Sequence, residues 1–119
     1  MADKVILCTE NSVHGVHNLI DLLIDRFKRT SDIYMKMILD KSCIVLTKYS
    51  KKSMYYNKLI DKNMVKDILR GSIYEGITVE GKIDFSEDFY RQLNESQRVF
   101  KLNKDIENDV ILLIRHIIN

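Results

Sequence analysis

Cysteine and histidine side chains that could do chemistry together are concentrated near the start of the chain. Cys8 ends a short apolar run, and His14 and His17 follow within the next nine positions. A thiol at the amino end of a helix has a lowered pKa, which favours the reactive thiolate. His17 and Asp21 are four residues apart and would share one side of that helix. These residues therefore allow a thiol enzyme, in which Cys8 is the nucleophile and a histidine held by a carboxylate is the base.

The stretch around this cysteine, KVILCTENSVHG, resembles the loop that opens the low-molecular-weight tyrosine phosphatases and the related arsenate reductases. In that family a strand ends in a cysteine, and a Cys-x5-Arg loop cradles phosphate. Cys8, Thr9, Asn11 and Ser12 match typical residues of the loop, whereas His14 replaces the arginine that clamps the oxyanion. The chain also contains no proline, so the family's Asp-Pro acid motif is absent. The resemblance implies a phosphate-binding turn at Cys8, but without those two parts no family is assigned.

The same cysteines and histidines have a simpler interpretation. Cys8 would be a small apolar residue at the end of a buried strand, and the histidines would lie on the polar side of an amphipathic helix. A metal set of Cys8, His14, His17 and Cys43 would begin Cys-x5-His-x2-His, which is not the spacing of zinc sites. We therefore predict no catalytic residue, no metal and no cofactor, and we expect both cysteines to be free thiols.

The segment KYSKKSMYYNK, residues 48–58, combines lysines and tyrosines without any acidic residue. Nucleic-acid surfaces combine cations, which neutralise phosphate, with aromatic faces on which bases stack. Helical spacing after Lys51 would put Tyr55 beside the lysines and would turn Tyr56 towards the core. The alternative is that the tyrosines face the core and the lysines are simply solvated. The predicted nucleic-acid-binding residues, which include the basic end of the first helix, are Lys48, Lys51, Lys52, Tyr55, Lys58, Arg26, Lys28 and Arg29.

The charge distribution favours a basic face. The whole chain has a net charge of +2. Residues 26–58 contain nine Lys or Arg and two Asp, a net charge of +7, whereas the remaining residues sum to −5. Because the field of a whole protein steers charged partners, this polarity is an indication about binding rather than about fold.

The last apolar segment, VILLIRHII at residues 110–118, is apolar on more than one side of a helix. Either the core covers it or a partner does, and a small domain with a limited core gains from self-association. We predict a homo-oligomer, most simply a homodimer, with another protein as the alternative partner. The predicted interface residues are Val110, Ile111, Leu112, Ile114 and Ile118.

Hydrophobic periodicity and capping signals predict the elements that position these residues. The predicted strands span residues 4–8, 32–39, 43–49 and 77–85. A helix capped by Asn11 or Ser12 follows the first strand, and a second helix begins after Lys51. Two more helices, after Ser86 and Asn103, complete the chain. This βαββαβ order with two C-terminal helices predicts a ferredoxin-like, or split βαβ, α+β fold.

Length and composition set the remaining expectations. The 119 residues suit a single domain, 1–119, and the chain is 45% hydrophobic and 30% charged, as soluble globular proteins are. No run reaches the roughly 20 apolar residues that span a bilayer, so we expect a cytoplasmic protein without membrane contact. The absence of proline and the abundance of Ile, Lys, Asn and Asp indicate an AT-rich genome, such as that of a virus.

The sequence therefore predicts a small, non-enzymatic, intracellular binding or regulatory protein, homodimeric, with a basic, tyrosine-bearing surface for nucleic acid. The first alternative is a protein-interaction module, for instance a viral effector or adaptor, that uses the apolar C-terminal helix. The second alternative is the thiol enzyme built on Cys8.

Overall fold

A computed structural model describes residues 4–27, 32–72, 75–96, 98, 101 and 103–118. Its strands are β1 (Val5–Glu10), β2 (Ser42–Tyr49), β3 (Met54–Tyr55), β4 (Lys58–Leu59) and β5 (Val79–Asp84). Its helices are α1 (Val13–Phe27), α2 (Asp32–Asp40), α3 (Lys62–Leu69), α4 (Asp88–Glu95) and α5 (Lys104–Ile118). Within the described residues, five helices accompany a parallel three-stranded sheet and one antiparallel strand pair, so the predicted α+β class is confirmed.

The sheet has β2 at its centre, with β1 on one side and β5 on the other, and both pairings are parallel. Parallel neighbours need a crossover connection, which α1 and α2 supply between β1 and β2, and α3 supplies between β2 and β5. Both crossovers move in the same direction across the sheet. The right-handed rule for such connections then puts their helices on one face, and α1 does contact α3.

Successive residues of β2 face opposite sides of the sheet, as the two-residue period of a strand requires. Ile44 and Leu46 belong to the cluster that packs against α1 and α3, through residues such as Val16 on α1. Cys43 and Val45 point the other way and join a smaller cluster with α5. The sheet is thus covered on both faces, as parallel sheets usually are.

Helix α5 packs closely against β5 at Gly81. A β-carbon added at Gly81 would come within 2.6 Å of Cδ1 of Leu113, so a larger residue here would require the leucine side chain to move. Ile106 and Ile117, near the two ends of α5, are buried, and Ile117 packs with Cys43 and Val45 of β2. The two predicted C-terminal helices are present as α4 and α5.

The ferredoxin-like arrangement is not confirmed, because residues 32–39, predicted as a strand, form helix α2. The half-buried residues of this helix are Met35, Ile38 and Leu39, whereas Ile33 and Met37 are exposed. Gaps of three and four between inward positions are helical. The alternation of apolar residues along DIYMKMIL indicated a strand, but the residues that face inward follow helical spacing.

The helix predicted after Lys51 is also wrong in its first half, where the chain forms the β3–β4 hairpin. The helix begins only at Lys62, and the Asp61 side chain caps it by accepting a hydrogen bond from the backbone N–H of Met64 at 3.0 Å. In α1 the predicted cap is confirmed, because the Ser12 hydroxyl accepts from the N–H of Gly15 at 2.9 Å. None of the helices in the described ranges is long and apolar enough to cross a membrane.

Candidate nucleic-acid interface

The turn that follows β2, residues 50–53, is fixed by a buried asparagine from another part of the chain. Asn11 is only 2% exposed. Its side-chain amide donates to the carbonyl oxygens of Ser50, at 2.8 Å, and Ile60, at 3.0 Å, and its side-chain oxygen accepts from the Ser50 N–H at 3.0 Å. The Ser53 hydroxyl in turn donates to the Asn11 carbonyl at 2.6 Å. The β1–α1 loop therefore holds both the turn and the end of the hairpin in place.

Beyond this turn the β3–β4 hairpin ends in a two-residue loop, Tyr56–Asn57. Both residues have positive φ, 48° and 64°, which is the conformation of a type I′ turn. Tyr56 is 84% exposed and Tyr55 is 47% exposed. Their rings meet edge to face with centroids 4.5 Å apart. The hairpin tip therefore carries two aromatic rings into solvent.

Lysines lie on the hairpin itself and on the turn that precedes it. Tyr55 is the direct cross-strand partner of Lys58, so their side chains leave the hairpin on the same face. Lys51 and Lys52 are exposed on the preceding turn. Within the described part of the chain, none of these three lysines takes part in an ion pair. Lys48 differs, since its ammonium group lies 3.8 Å from the carboxylate of Glu10.

We name Lys51, Lys52, Tyr55, Tyr56 and Lys58 the lysine–tyrosine surface. Of the residues predicted for this surface, Tyr55 and Lys58 share one face of the hairpin, Lys51 and Lys52 lie on the turn that precedes it, and Lys48 is paired with Glu10. The predicted place of Tyr56 in the core is wrong. The hairpin turns at that residue and exposes its side chain, whereas Tyr49, on β2, is buried.

Of the predicted basic end of α1, the structure describes only Arg26, and it does not bring this residue to the lysine–tyrosine surface. Helix α1 begins beside the carboxyl end of β1, and a parallel β2 can start only after the chain has returned to the opposite end of the sheet. Arg26 lies in the last turn of α1 and so belongs to that opposite end. Lys28 and Arg29 lie outside the described residues.

A cleft opens next to the lysine–tyrosine surface, between the carboxyl ends of β2 and β5. Its volume is about 490 Å³. The residues that line it are Tyr49, Ser50, Lys51, Lys52, Asp84 and Phe85. Ligands of open parallel sheets are commonly bound at the carboxyl ends of the strands.

The residues considered for thiol chemistry do not form a nucleophile–base pair. Cys8 lies inside β1, and burial raises the pKa of its thiol, which is the opposite of what a thiolate nucleophile requires. His14 lies 3.1 Å from the side-chain amide of Asn18, on α1. Burial also raises the pKa of Cys43, and neither cysteine forms a disulfide. Among the described residues there is no group of three metal-ligating side chains.

The predicted interface residues lie on α5 with different degrees of exposure. Ile111, Leu112, Ile114 and Ile118 are exposed, by 38%, 63%, 44% and 67% respectively, while Val110 is half-buried. Ile111, Ile114 and Ile118 follow one another at gaps of three and four and so form one outward stripe. Leu112 lies apart from this stripe, on the side of α5 that borders the edge of β5.

Sequence reasoning missed three residues of this region. Asn11 was considered as a cap and as part of the phosphatase-like loop, and no pattern in the sequence indicates its contacts with residues 39 and 49 positions away. Phe85 was predicted only as the last residue of the strand at 77–85. For Tyr56 the sequence did contain a signal, because the neighbouring Asn57 tolerates positive φ and a two-residue turn between β-prone residues is a hairpin signature.

Comparisons of this chain with protein-family models, with curated proteins and with solved structures found no match.

Proposed function

We propose that this protein binds single-stranded nucleic acid through the lysine–tyrosine surface. The observation that carries the proposal is the exposed aromatic hairpin tip, with Tyr56 84% exposed and Tyr55 47% exposed beside lysines that lack ion pairs in the described residues. Bases stack on aromatic faces only when they are unpaired, so these rings favour a single strand over a duplex. A nucleic-acid partner implies an intracellular location, which belongs to the same proposal.

The arrangement of charges supports phosphate as the ligand of the lysines. Lys58 and Tyr55 are cross-strand neighbours, and Lys51 and Lys52 protrude from a turn that Asn11 fixes. Cations held by a rigid turn lose less freedom on binding than cations on a mobile loop. Each phosphate contact releases condensed counterions, so binding by such a surface depends steeply on salt.

The backbone conformation of Tyr56 supports a functional role for its side chain. A large residue with positive φ is uncommon, and glycine or asparagine is the usual residue in such a turn. A strained residue whose side chain makes no core contact points to a role outside folding.

The test is a salt titration of fluorescently labelled single-stranded DNA and RNA of one sequence, with the duplex of that sequence for comparison. We expect the single strands to bind more tightly than the duplex. Replacing both lysines of the turn, Lys51→Ala with Lys52→Ala, should make the slope of log affinity against log salt shallower by about 1.4. The control is the pair Lys36→Ala with Lys66→Ala, which removes the same charge from α2 and α3. Equal slopes for the two double variants, or no binding at low salt, would refute the proposal.

We also propose that the protein is a homodimer, and the exposed stripe of Ile111, Ile114 and Ile118 on α5 supports this. A second copy fits the charges that flank the stripe. If two α5 helices packed antiparallel with Ile111 at the two-fold axis, Glu107 would face Arg115 of the second copy, since each is four residues from Ile111. A different protein on the same stripe, as in an interaction module, is the competing occupant.

A further inference from the structure

The cleft beside the lysine–tyrosine surface has the size and position of a ligand site. Its volume, about 490 Å³, falls within the range of small-molecule pockets. At the cleft Tyr49 on β2 pairs with Asp84 on β5, and the carbonyl of Tyr49 accepts from the N–H of Phe85 at 3.0 Å. The cleft therefore lies where these two paired strands end and the turn of residues 50–53 begins.

One wall of the cleft is an aromatic ring that solvent reaches. Phe85 is 42% exposed, although it is anchored at its backbone to β2. Its ring meets the ring of Tyr90, on α4, at 70° with centroids 5.8 Å apart. That contact holds the phenylalanine in one orientation and leaves part of its surface open. An exposed and oriented aromatic ring is a platform for a planar ligand.

The cleft also carries positive charge, from lysines that have no ion pair in the described part of the chain. Lys51 and Lys52 line the cleft and, within the described ranges, take part in no ion pair. The acidic residue of the cleft, Asp84, already has a cation, because the ammonium group of Lys82 lies 2.6 Å from its carboxylate. The backbone N–H of Lys52 donates to the Ser50 hydroxyl at 3.2 Å, and Asn11 fixes Ser50. The two lysines are thus supplied by an ordered turn.

An aromatic ring and two lysines without ion pairs in the described residues line one cleft, and this combination matches one chemical class, a nucleobase linked to a phosphate. We infer that the cleft holds one nucleotide of the bound strand, with its base against Phe85 and its phosphate at Lys51 and Lys52. This inference rests on the proposed function and adds to it a defined nucleotide subsite. The strand then contacts the protein at two places, the cleft and the hairpin tip, which share the lysines of the turn between them.

The first test compares two substitutions of the platform in binding of a labelled single-stranded oligonucleotide. Phe85→Leu keeps the apolar volume and removes the ring face, so affinity should fall about tenfold. Phe85→Tyr keeps the ring and should bind like the wild type. If Phe85→Leu binds like the wild type while Tyr56→Asn binds more weakly, the proposed function stands and the subsite is wrong. If the wild type binds no single-stranded oligonucleotide, the proposed function and the nucleotide subsite are both wrong.

The second test uses thymidine 5′-monophosphate as the probe and the backbone amide NMR signals as the readout. In a Tyr55→Ala, Tyr56→Asn double variant, which lacks the hairpin rings, the nucleotide should still shift the signals of Lys51, Lys52 and Phe85. Shifts that are confined to the hairpin in the wild type, or absent from the three cleft residues, would overturn the subsite. Inorganic phosphate at the same concentration should shift the two lysines and leave Phe85 unchanged, because it offers no base.

Discussion

Asn11 illustrates how a single buried side chain can organise a binding surface that it does not belong to. Its side-chain NH₂ group donates two hydrogen bonds and its side-chain oxygen accepts one. A buried polar group that loses such partners costs about 1–3 kcal/mol, so these contacts are specific rather than optional. In the sequence, Asn11 and Ser12 were the two candidates for the cap of α1, and the structure gives that role to Ser12. Such long-range contacts have no periodicity, which is why the sequence alone cannot indicate them.

Tyr56 gives the clearest separation of stability from function at the level of one residue. We expect Tyr56→Asn to leave the free energy of unfolding unchanged or to raise it by up to about 1 kcal/mol, because asparagine tolerates positive φ better than tyrosine. Binding of single strands should weaken by about 1–3 kcal/mol, since a stacking face is lost. Urea unfolding and fluorescence anisotropy measure the two quantities on the same sample. A variant that unfolds more easily and binds normally would make Tyr56 a structural residue.

Among the elements, those with a strong hydrophobic pattern were predictable and those decided by topology were not. The run VILC and the spacing of Val16 and Ile20 predicted β1 and α1, which the structure confirms. Residues 32–39 alternate like a strand, but they form α2, which adds to the connection that α1 already makes between the parallel strands β1 and β2. The candidate surface was predictable as a composition of lysines and tyrosines. Its geometry was not, because one turn at Tyr56 decides which rings are exposed.

The junction of α5 with β5 predicts a dependence of stability on pH. The pKa of Glu80 is lowered mainly by Thr78, whose hydroxyl donates to the Glu80 carboxylate at 2.6 Å. Burial opposes this effect and raises the pKa. His116 on α5, whose Nε2 lies 2.8 Å from the carboxylate, lowers the pKa further. A carboxyl with a lowered folded-state pKa stabilises the fold above its unfolded-state pKa, and this contribution is lost as pH falls through the folded-state value.

We therefore expect Glu80→Gln to be less stable than the wild type at neutral pH, by about 0.2–1 kcal/mol because the pair is partly exposed. The difference in free energy of unfolding should disappear at pH values below the ordinary pKa range of glutamate, because the wild-type carboxyl is then protonated and as uncharged as the glutamine amide. Urea unfolding of both proteins across the acidic range measures it. Glu87→Gln, an exposed residue just before α4, is the matched control and should follow the wild type throughout. A difference that persists at low pH would show that the amide disturbs packing rather than charge.

At the scale of the whole molecule, the two proposed surfaces lie on different parts of the fold. The lysine–tyrosine surface is at the carboxyl end of the sheet, where the anchored turn follows Tyr49. The exposed stripe of α5 lies on the helix that covers the sheet face opposite α1 and α3. A dimer through α5 would leave both lysine–tyrosine surfaces accessible. Two linked surfaces on one strand would increase the apparent affinity beyond that of either alone.

The last prediction concerns the assembly itself. Ile111→Glu places a charge at the proposed two-fold axis and should give a folded monomer by light scattering, whereas Leu112→Glu, exposed but outside the stripe, should leave the dimer intact. A charge test then fixes the orientation of the two helices. Glu107→Arg alone sets like charges against Arg115 of the second copy and should weaken the dimer, and adding Arg115→Glu should restore it. Wild-type protein that stays monomeric at high micromolar concentration would contradict the homodimer and would favour a different protein as the partner of the α5 stripe. Restoration that fails in an otherwise dimeric protein would exclude the antiparallel arrangement.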